Sequence, residues 1–241
     1  MLGAEEVARL VGVTESTVWR WCREGSLPCL KVSKHWRVRT EDLEDFLRKG
    51  ERPETLVGQL GSFLRVPDNV LAVAQNRDIS HRLDAAFFRV GEAQDRLLVK
   101  FYAGEDMSED ELLARFEANG LEAGRLQSEG RLLMRPEEIP VEGHADRLAR
   151  LVEEEAGGRR TVWASFNWVV DVDLDKALEQ QEKLTELVEA RQLVVKTATI
   201  EEAIEGWSPA VLRQSQLLHS GIILATESAL WLGRGTPMPQ A

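Results

Sequence analysis

The sequence of residues 12–39 is GVTESTVWRWCREGSLPCLKVSKHWRVR, and this stretch decides the fold of the first part of the chain. Between Ser16 and Arg39 it carries six basic residues and one acidic residue, Glu24, in a protein whose formal net charge is -11. A cluster of lysine and arginine on an acidic protein is typical of a surface that binds a phosphate backbone, because these side chains displace condensed counterions. The contrast favours DNA binding by this stretch.

Two short helices joined by a tight turn are predicted at its start. The apolar residues before Gly12 recur at helical spacing and indicate the first helix: Ala4, Val7, Ala8, Leu10 and Val11. Thr14 can cap the second helix through its hydroxyl, and Gly25 suits the left-handed backbone just past that helix's end. The buried stripe of the second helix is predicted to be Val18, Trp21 and Cys22.

A small β-hairpin is predicted to follow. Residues 30–32 and 36–39 alternate apolar with basic side chains, and Ser33-Lys34-His35 forms the tip between them. Thr40 then caps a third helix whose first turn holds two acidic residues, which the helix dipole favours. The unit is expected to end at residue 49.

These motifs, in this order, closely resemble the excisionase-type, MerR-like winged helix-turn-helix. The resemblance covers residues 4–8, 13–21 and 31–38, which is about the first fifth of the chain. It implies that the second helix enters the major groove of double-stranded DNA and that the hairpin, the wing, reaches a phosphate or the neighbouring minor groove.

Candidate DNA-binding residues lie on the second helix and the wing. Base reading is assigned to Arg20, since arginine can donate two hydrogen bonds to guanine. Phosphate contacts are assigned to Ser16, Thr17, Arg23, Lys34 and Arg37, with His35 as a further wing candidate. The alternative is that these are ordinary solvated side chains; Trp36 is expected in the core, and Trp19 is open to either packing or a phosphate contact.

Length and charge predict a second domain. The chain has 241 residues, 43% of them hydrophobic, and its first 50 residues carry nine of the 30 basic but only eight of the 41 acidic residues. We expect the winged helix at 1–49, a linker at 50–68, an α/β domain at 69–235 and a tail at 236–241. Because the excess negative charge lies in the second domain, that domain is not expected to bind DNA broadly.

The two cysteines, Cys22 and Cys29, are expected to be reduced core residues, with a redox role as the alternative. No apolar run approaches the ~20 residues that span a bilayer, and the N-terminus lacks a signal-peptide pattern. The sequence therefore predicts a cytoplasmic protein without membrane contact.

The second domain alternates short apolar runs with stretches of helical period. The runs are 70–74, 97–102, 131–134, 161–168, 193–197 and 221–225, and the clearest helices are 110–119, 144–155, 174–190 and 201–219. Such alternation predicts parallel strands joined by helical crossovers, hence a doubly wound, mainly parallel sheet. The loop after the first strand, residues 75–80, lacks the glycine-rich phosphate cradle of nucleotide-binding proteins, which argues against ATP hydrolysis.

A second resemblance lies in the run from Trp168 through residues 174–184, then 193–196, 211–213 and 219–223. It looks like the second half of the MEDS (DcmR-type) sensory domain. The match departs from the family at three points: Gln181 occupies the position of the family's tyrosine, Val194-Val195-Lys196 that of its cysteine-bearing strand end, and Ser220 that of its proline. The resemblance implies a ligand-responsive regulator whose sheet resembles a degenerate P-loop NTPase fold that has lost its phosphate chemistry.

Candidate ligand-binding residues are aromatic side chains at strand ends and in adjacent loops: Trp163, Phe166, Trp168, Trp207 and His219. The alternative places the tryptophans and phenylalanine in the core and uses His219 to cap a helix. The scattered histidines lack metal-ligand spacing, and no catalytic set stands out, so no metal, cofactor or enzymatic activity is expected.

These observations predict a DNA-binding transcriptional regulator, a homodimer, whose second domain senses a small-molecule effector or mediates assembly. Three alternatives remain: an excisionase-like architectural factor, an enzyme tethered to DNA, and a second domain that is purely a protein-interaction or dimerisation platform.

Overall fold

The computed structural model describes residues 1–32, 35–43, 46, 55–103, 107–137, 143–154, 161–168 and 173–235. The chain forms two compact units, Met1–Glu54 and Thr55–Ala241. Of the predicted linker and tail, residues 50–54 and 236–241 lie outside the described residues, and the rest of the linker, residues 55–68, belongs to the second unit.

The first unit has the predicted helix-turn-helix and wing. Its elements are β1 (Leu2–Gly3), α1 (Ala4–Val11), α2 (Glu15–Glu24), β2 (Leu30–Val32) and β3 (His35–Val38), and residues 40–43 and 46 are helical. The strands form an antiparallel sheet in the order β1-β3-β2. Gly12 and Gly25 end the two helices with φ of 73° and 74°, the left-handed backbone that glycine adopts most readily.

A small apolar core holds this unit together. Val7, Val18, Leu27 and Val38, one residue from each of its main segments, have no exposed surface. Because α2 buries only the stripe that includes Val18, its opposite face is left to solvent.

The prediction that the cysteines are reduced is wrong. Cys22, in the last turn of α2, and Cys29, just before β2, form a disulfide with Cα atoms 5.4 Å apart. The buried Leu27 between them turns the chain back onto the same core that α2 packs against. Sequence spacing alone does not reveal such an approach.

The second unit is a doubly wound α/β domain, as predicted. A seven-stranded sheet has the order β10-β9-β4-β8-β7-β5-β6, and only β10 runs antiparallel to its neighbour. Its strands are β4 (Asp68–Ala74), β5 (Leu97–Ala103), β6 (Leu132–Glu137), β7 (Val162–Asn167), β8 (Val194–Ile200), β9 (Gly221–Ala225) and β10 (Leu230–Arg234). Every residue of β4 is buried, which explains its nearly continuous apolar sequence.

Helices cover both faces of the sheet. One face packs against α3 (Leu56–Phe63), α4 (Arg77–Ala93), α5 (Glu109–Ala118) and α6 (Ala123–Ser128). The other packs against α7 (His144–Glu154), α8 (Leu174–Arg191), α9 (Glu201–Ile204) and α10 (Pro209–Leu217). No helix in the described part of the chain is long and apolar enough to cross a membrane.

One predicted helix is divided in two. The pattern over 201–219 predicts a single helix, but α9 ends at Ile204 and α10 begins at Pro209. The hydroxyl of Ser208 accepts a hydrogen bond from the Val211 backbone N–H, so it caps a new helix whose first residue is proline.

Candidate functional site

The exposed face of α2 and the wing form the candidate DNA interface. Ser16, Arg20 and Arg23 are exposed on α2, and Thr17 is half-buried beside them. On the wing His35 and Arg37 are exposed, whereas Lys34 lies outside the described residues. The structure thus presents most of the residues predicted to contact DNA on two neighbouring elements of one unit.

The described residues do not neutralise the arginines of this surface. Among the residues that the structure describes, no carboxylate pairs with Arg20, Arg23 or Arg37. By contrast, Arg9 on α1 lies 3.2 Å from a carboxylate oxygen of Glu5. The positive charge of α2 and the wing is therefore available to an external anion such as a DNA phosphate.

Hydroxyl groups cluster where α2 begins. The Thr14 hydroxyl lies 2.9 Å from the hydroxyls of both Ser16 and Thr17, and it makes no capping bond to the helix backbone. Helix N-termini carry partial positive charge and unsatisfied N–H groups, and hydroxyls there can donate to phosphate oxygens. This geometry suits the phosphate role assigned to Ser16 and Thr17.

An open groove of about 700 Å³ lies between α1, α2 and the wing. Its wall includes Trp19, the basic residues Arg9, Arg23, Lys31 and Arg37, and the acidic residues Glu5, Glu6 and Glu15. The Trp19 side chain is 44% exposed, so this tryptophan is not a core residue of the unit. Trp36 is half-buried and packs against the core, as expected.

In the second unit, charged side chains are buried together on one face of the sheet. The carboxylate of Asp84 on α4 lies 2.8 Å from Lys100 Nζ and 2.6 Å from Lys196 Nζ, and all three side chains are fully buried. We call them the charged cluster. Register explains the meeting: Lys100 pairs with Ser165 across β5 and β7, and Ser165 pairs with Lys196 across β7 and β8.

The members of the charged cluster shift one another's pKa values. Burial alone would raise the pKa of Asp84, but the two ammonium groups outweigh burial and hold that pKa well below its usual range. Burial lowers the pKa of Lys196, and Asp84 opposes that shift. Two lysines share one carboxylate, so the cluster has an excess of positive charge when all three groups are ionised.

Lys100 links the charged cluster to a cavity. Its Nζ also donates to Ser165 Oγ at 3.3 Å and to Asn167 Oδ1 at 2.9 Å. Asn167 ends β7 and lines a cavity of about 70 Å³ at the carboxyl ends of β5, β7 and β8, beneath α4 and α5. In doubly wound sheets this edge is where ligands bind.

The wall of the cavity is mixed. Its polar residues are Arg77, Ser80, His81, Tyr102, Asn167 and Thr199, and its larger apolar residues include Met107, Leu112, Trp168 and Ile200. His81 is only 7% exposed, and no hydrogen-bond partner for its Nδ1 atom is found in the described part of the chain. Burial lowers the pKa of His81, while nearby Asp84 opposes that shift.

The predicted ligand-binding aromatics do not form one site. Trp163 packs 5.0 Å from Phe87 under α4, whereas Phe166 stacks 4.3 Å from Phe101 on the opposite face of the sheet. The structure does bring Trp168, Trp207 and His219 together: the two indoles are 5.4 Å apart and the imidazole lies 6.4 Å from Trp168. Of the five, Trp168 alone lines the cavity.

The charged cluster and His81 were missed in the sequence, although a signal was present. Lys100 and Lys196 each interrupt an apolar run that reads as a strand buried on both faces. A lysine in such a position has no route to solvent and requires a buried anion. Within the described residues, no group of three or more His, Cys, Asp or Glu side chains is arranged to hold a metal ion.

Comparison with known proteins supports the helix-turn-helix assignment of the first unit. Residues 1–51 match a protein-family model described as a helix-turn-helix domain. A search of curated proteins found no significant match. A solved structure similar to this chain is a KaiC-like protein from the hyperthermophilic archaeon Pyrococcus horikoshii, with 12% identity over 70% of this chain and 77% of that chain and a TM-score of 0.49. The chain therefore carries a DNA-binding helix-turn-helix domain at residues 1–51, followed by an α/β domain with a mainly parallel sheet.

Proposed function

We propose that this protein is a sequence-specific transcriptional regulator whose second unit senses a small molecule. The observation that carries the DNA-binding half is the pair of exposed arginines on α2, Arg20 and Arg23, for which the described residues supply no carboxylate. An unpaired arginine on a recognition helix is suited to read guanine or to hold a phosphate.

The helix α2 and the wing have different roles in this proposal. Arg20 reads bases in the major groove from the middle of α2. Ser16, Thr17 and Arg23 hold phosphates beside it, and Arg37, with Lys34 and His35, holds the backbone from the wing. Base contacts set sequence preference, whereas phosphate contacts set overall affinity and its dependence on salt.

The cavity supports the sensing half. It lies at the ligand-binding edge of a doubly wound sheet, and the buried His81 nitrogen on its wall has no partner in the described residues. The resemblance to the MEDS sensory domain points the same way. A ligand regulates DNA binding only if it binds two arrangements of the protein unequally.

The proposed regulator is a homodimer, because one small helix-turn-helix unit has limited contact area and two units read a two-fold site. An assembly role for the second unit is the other candidate. Leu224 and Trp231 are directly paired across β9 and β10, and they are 42% and 54% exposed. We assign a second copy of this chain to this exposed surface, because a two-fold DNA site requires two copies. If that is right, the Trp231→Ser variant should sediment as a monomer.

Selection of bound duplexes from a random pool, followed by titrations at several salt concentrations, tests the DNA-binding role. Arg20→Ala should weaken binding to the selected sequence by about 1–3 kcal/mol and relax the preference at the base that Arg20 reads. Arg37→Ala should weaken binding to all sequences alike and reduce the salt slope by about one.

Arg191→Ala is the control, since Arg191 is a half-exposed arginine of α8 in the second unit that is already paired with Glu153 at 3.6 Å. It should leave both affinity and sequence preference unchanged. Selection that enriches no sequence, or an Arg20→Ala protein with full preference, contradicts the proposed regulator.

A further inference from the structure

The cavity of the second unit has a wall rich in hydrogen-bond donors and a positive charge beneath it. We infer that it binds a short-chain monocarboxylate, an organic acid of about two to four carbons. This inference rests on the proposed sensing function and specifies the chemistry of its ligand. Donor chemistry, charge and size each contribute to it.

The first step is the direction of the hydrogen bonds. The Lys100 ammonium can only donate, so the Asn167 oxygen 2.9 Å from it is the acceptor, and the Asn167 NH₂ group keeps its donor hydrogens for another partner. The Ser80 hydroxyl adds a further donor to the wall. A ligand that suits this wall supplies acceptor oxygens.

The second step is the buried ring nitrogen of His81. Its side chain is nine-tenths buried, and its Nδ1 atom has no partner among the described residues. A buried polar atom without a hydrogen-bond partner is unfavourable, because it has lost its hydrogen bonds to water. A ligand oxygen at this nitrogen would accept from the ring N–H and remove that cost.

Charge favours an anion over a neutral ligand. Among the described residues, Asp84 is the carboxylate that pairs with Lys100 and Lys196, and none of the described wall residues is Asp or Glu. Glu109 does not line the cavity; its two oxygens accept hydrogen bonds from the wall residue Tyr102 and from Gln127. The excess positive charge therefore faces the cavity across Asn167.

The volume of the cavity and its apolar wall residues limit the length of the ligand's hydrocarbon chain. A volume of about 70 Å³ lies well above the ~10–15 Å³ that holds one water and well below the ~150 Å³ that holds benzene. Met107, Leu112 and Ile200 give one part of the wall an apolar surface. An inorganic anion would leave that surface uncovered, and a nucleotide is far too large.

Calorimetric titration of the full chain with sodium acetate, propionate and butyrate tests this assignment, with propionamide and 1-propanol as neutral comparators. One of the acids should bind with a dissociation constant of about 0.1–1 mM, and the amide and alcohol at least roughly tenfold more weakly. His81→Phe, which keeps a planar ring but removes both nitrogens, should weaken acid binding about tenfold.

His219→Phe is the matched control. His219 is also buried and also has a ring nitrogen, Nε2, without a partner in the described residues, but it does not line the cavity. Its substitution should leave acid binding unchanged. If no acid binds, if the amide binds as tightly as the acid, or if both histidine variants behave alike, the assignment is wrong.

The same samples separate this inference from the proposed function. Acid binding without any change in DNA affinity would support the cavity assignment and count against sensing by the regulator. DNA affinity that responds to another small molecule, in a protein that binds no acid, would uphold the regulator and overturn the assignment.

Discussion

The Oδ1 atom of Asp84 lies 2.6 Å from the Nζ atom of Lys196, and neither side chain is exposed to solvent. The other carboxylate oxygen lies 2.8 Å from Lys100 Nζ, so one buried anion holds two buried cations between α4 and the sheet. Buried charges are tolerated only when they are paired, and removing one partner leaves the others uncompensated.

Asp84→Asn should therefore lower the free energy of unfolding of the second unit by about 3–5 kcal/mol, measured by urea denaturation at neutral pH. Asp78→Asn is the control, because Asp78 pairs with Arg115 at 2.6 Å but the two side chains are 78% and 44% exposed. That exposed pair should contribute no more than about 1 kcal/mol. Equal losses in the two variants would contradict the role given to the charged cluster.

The stability of the second unit should fall in mild acid because of His219. Burial lowers the pKa of His219 from 6.5 to about 4, and its Nδ1 lies 2.5 Å from the Ser215 carbonyl oxygen, to which it donates. Between pH 6.5 and about 4, the His219 side chain binds a proton in the unfolded chain but not in the folded chain. The stability is thus full above pH 6.5 and is lost as the pH falls toward about 4, by up to roughly 3 kcal/mol.

Unfolding free energies measured from pH 7 to pH 4 test this, and His219→Phe should flatten the curve in that window. Burial also lowers the pKa of His81, so some dependence will remain. His35→Phe, at an exposed position on the wing, is the control and should leave the curve unchanged. A His219→Phe curve as steep as that of the unmodified chain would refute the assignment.

Two helical glycines should respond oppositely to alanine. A Cβ on Gly91 of α4 would lie 2.7 Å from Leu98 Cδ2 and 3.1 Å from the Trp163 ring, both buried. On Gly61 of α3, the nearest atoms would be 3.8 Å away. Gly61→Ala should stabilise the unit by up to about 1 kcal/mol through helix propensity, whereas overpacking should make Gly91→Ala destabilising by about 1–3 kcal/mol.

Thermal unfolding of the two variants and of the unmodified chain measures whether each substitution raises or lowers the stability. A gain in stability for Gly91→Ala would show that α4 can move away from the sheet. That outcome would contradict the close packing of this helix on β5 and β7.

The Cys22–Cys29 disulfide should stabilise the first unit. It closes a short loop, since the two cysteines are separated by seven positions in sequence. Cross-linking a loop of this length restricts the unfolded chain and is worth about 2 kcal/mol. Hydrogen exchange of the α2 amides in the full chain should speed up roughly thirtyfold when a reductant is added.

The double variant Cys22→Ala/Cys29→Ala is the control for this measurement. Its α2 amides should exchange at the faster rate, and the reductant should not change that rate. Exchange in the unmodified chain that is insensitive to the reductant would contradict a stabilising disulfide.

Much of the first unit was predictable because its signals are local. The glycines at 12 and 25, the apolar stripe of α2 and the alternation of the wing each act within a few residues. The family match at 1–51 and the observed elements confirm the helix-turn-helix that these signals indicate. The disulfide was not predictable, because it depends on how the turn at Leu27 packs.

In the second unit, the alternation of strands and helices predicted the doubly wound sheet. The residues over 75–93 were harder to interpret, because α4 is buried along much of its length and lacks a clean polar face. The strand β10 was also missed, since it is a short, partly exposed edge strand.

The helix-turn-helix, the alternating order of strands and helices and the basic character of the first unit could all be inferred from local sequence, because periodicity, turn residues and charge are encoded by neighbours along the chain. The side-by-side placement of Lys100, Ser165 and Lys196 beneath Asp84, next to the cavity, could not be inferred without the three-dimensional structure. The physical reason is that strand order and register bring together residues up to 112 positions apart. No local pattern carries that pairing.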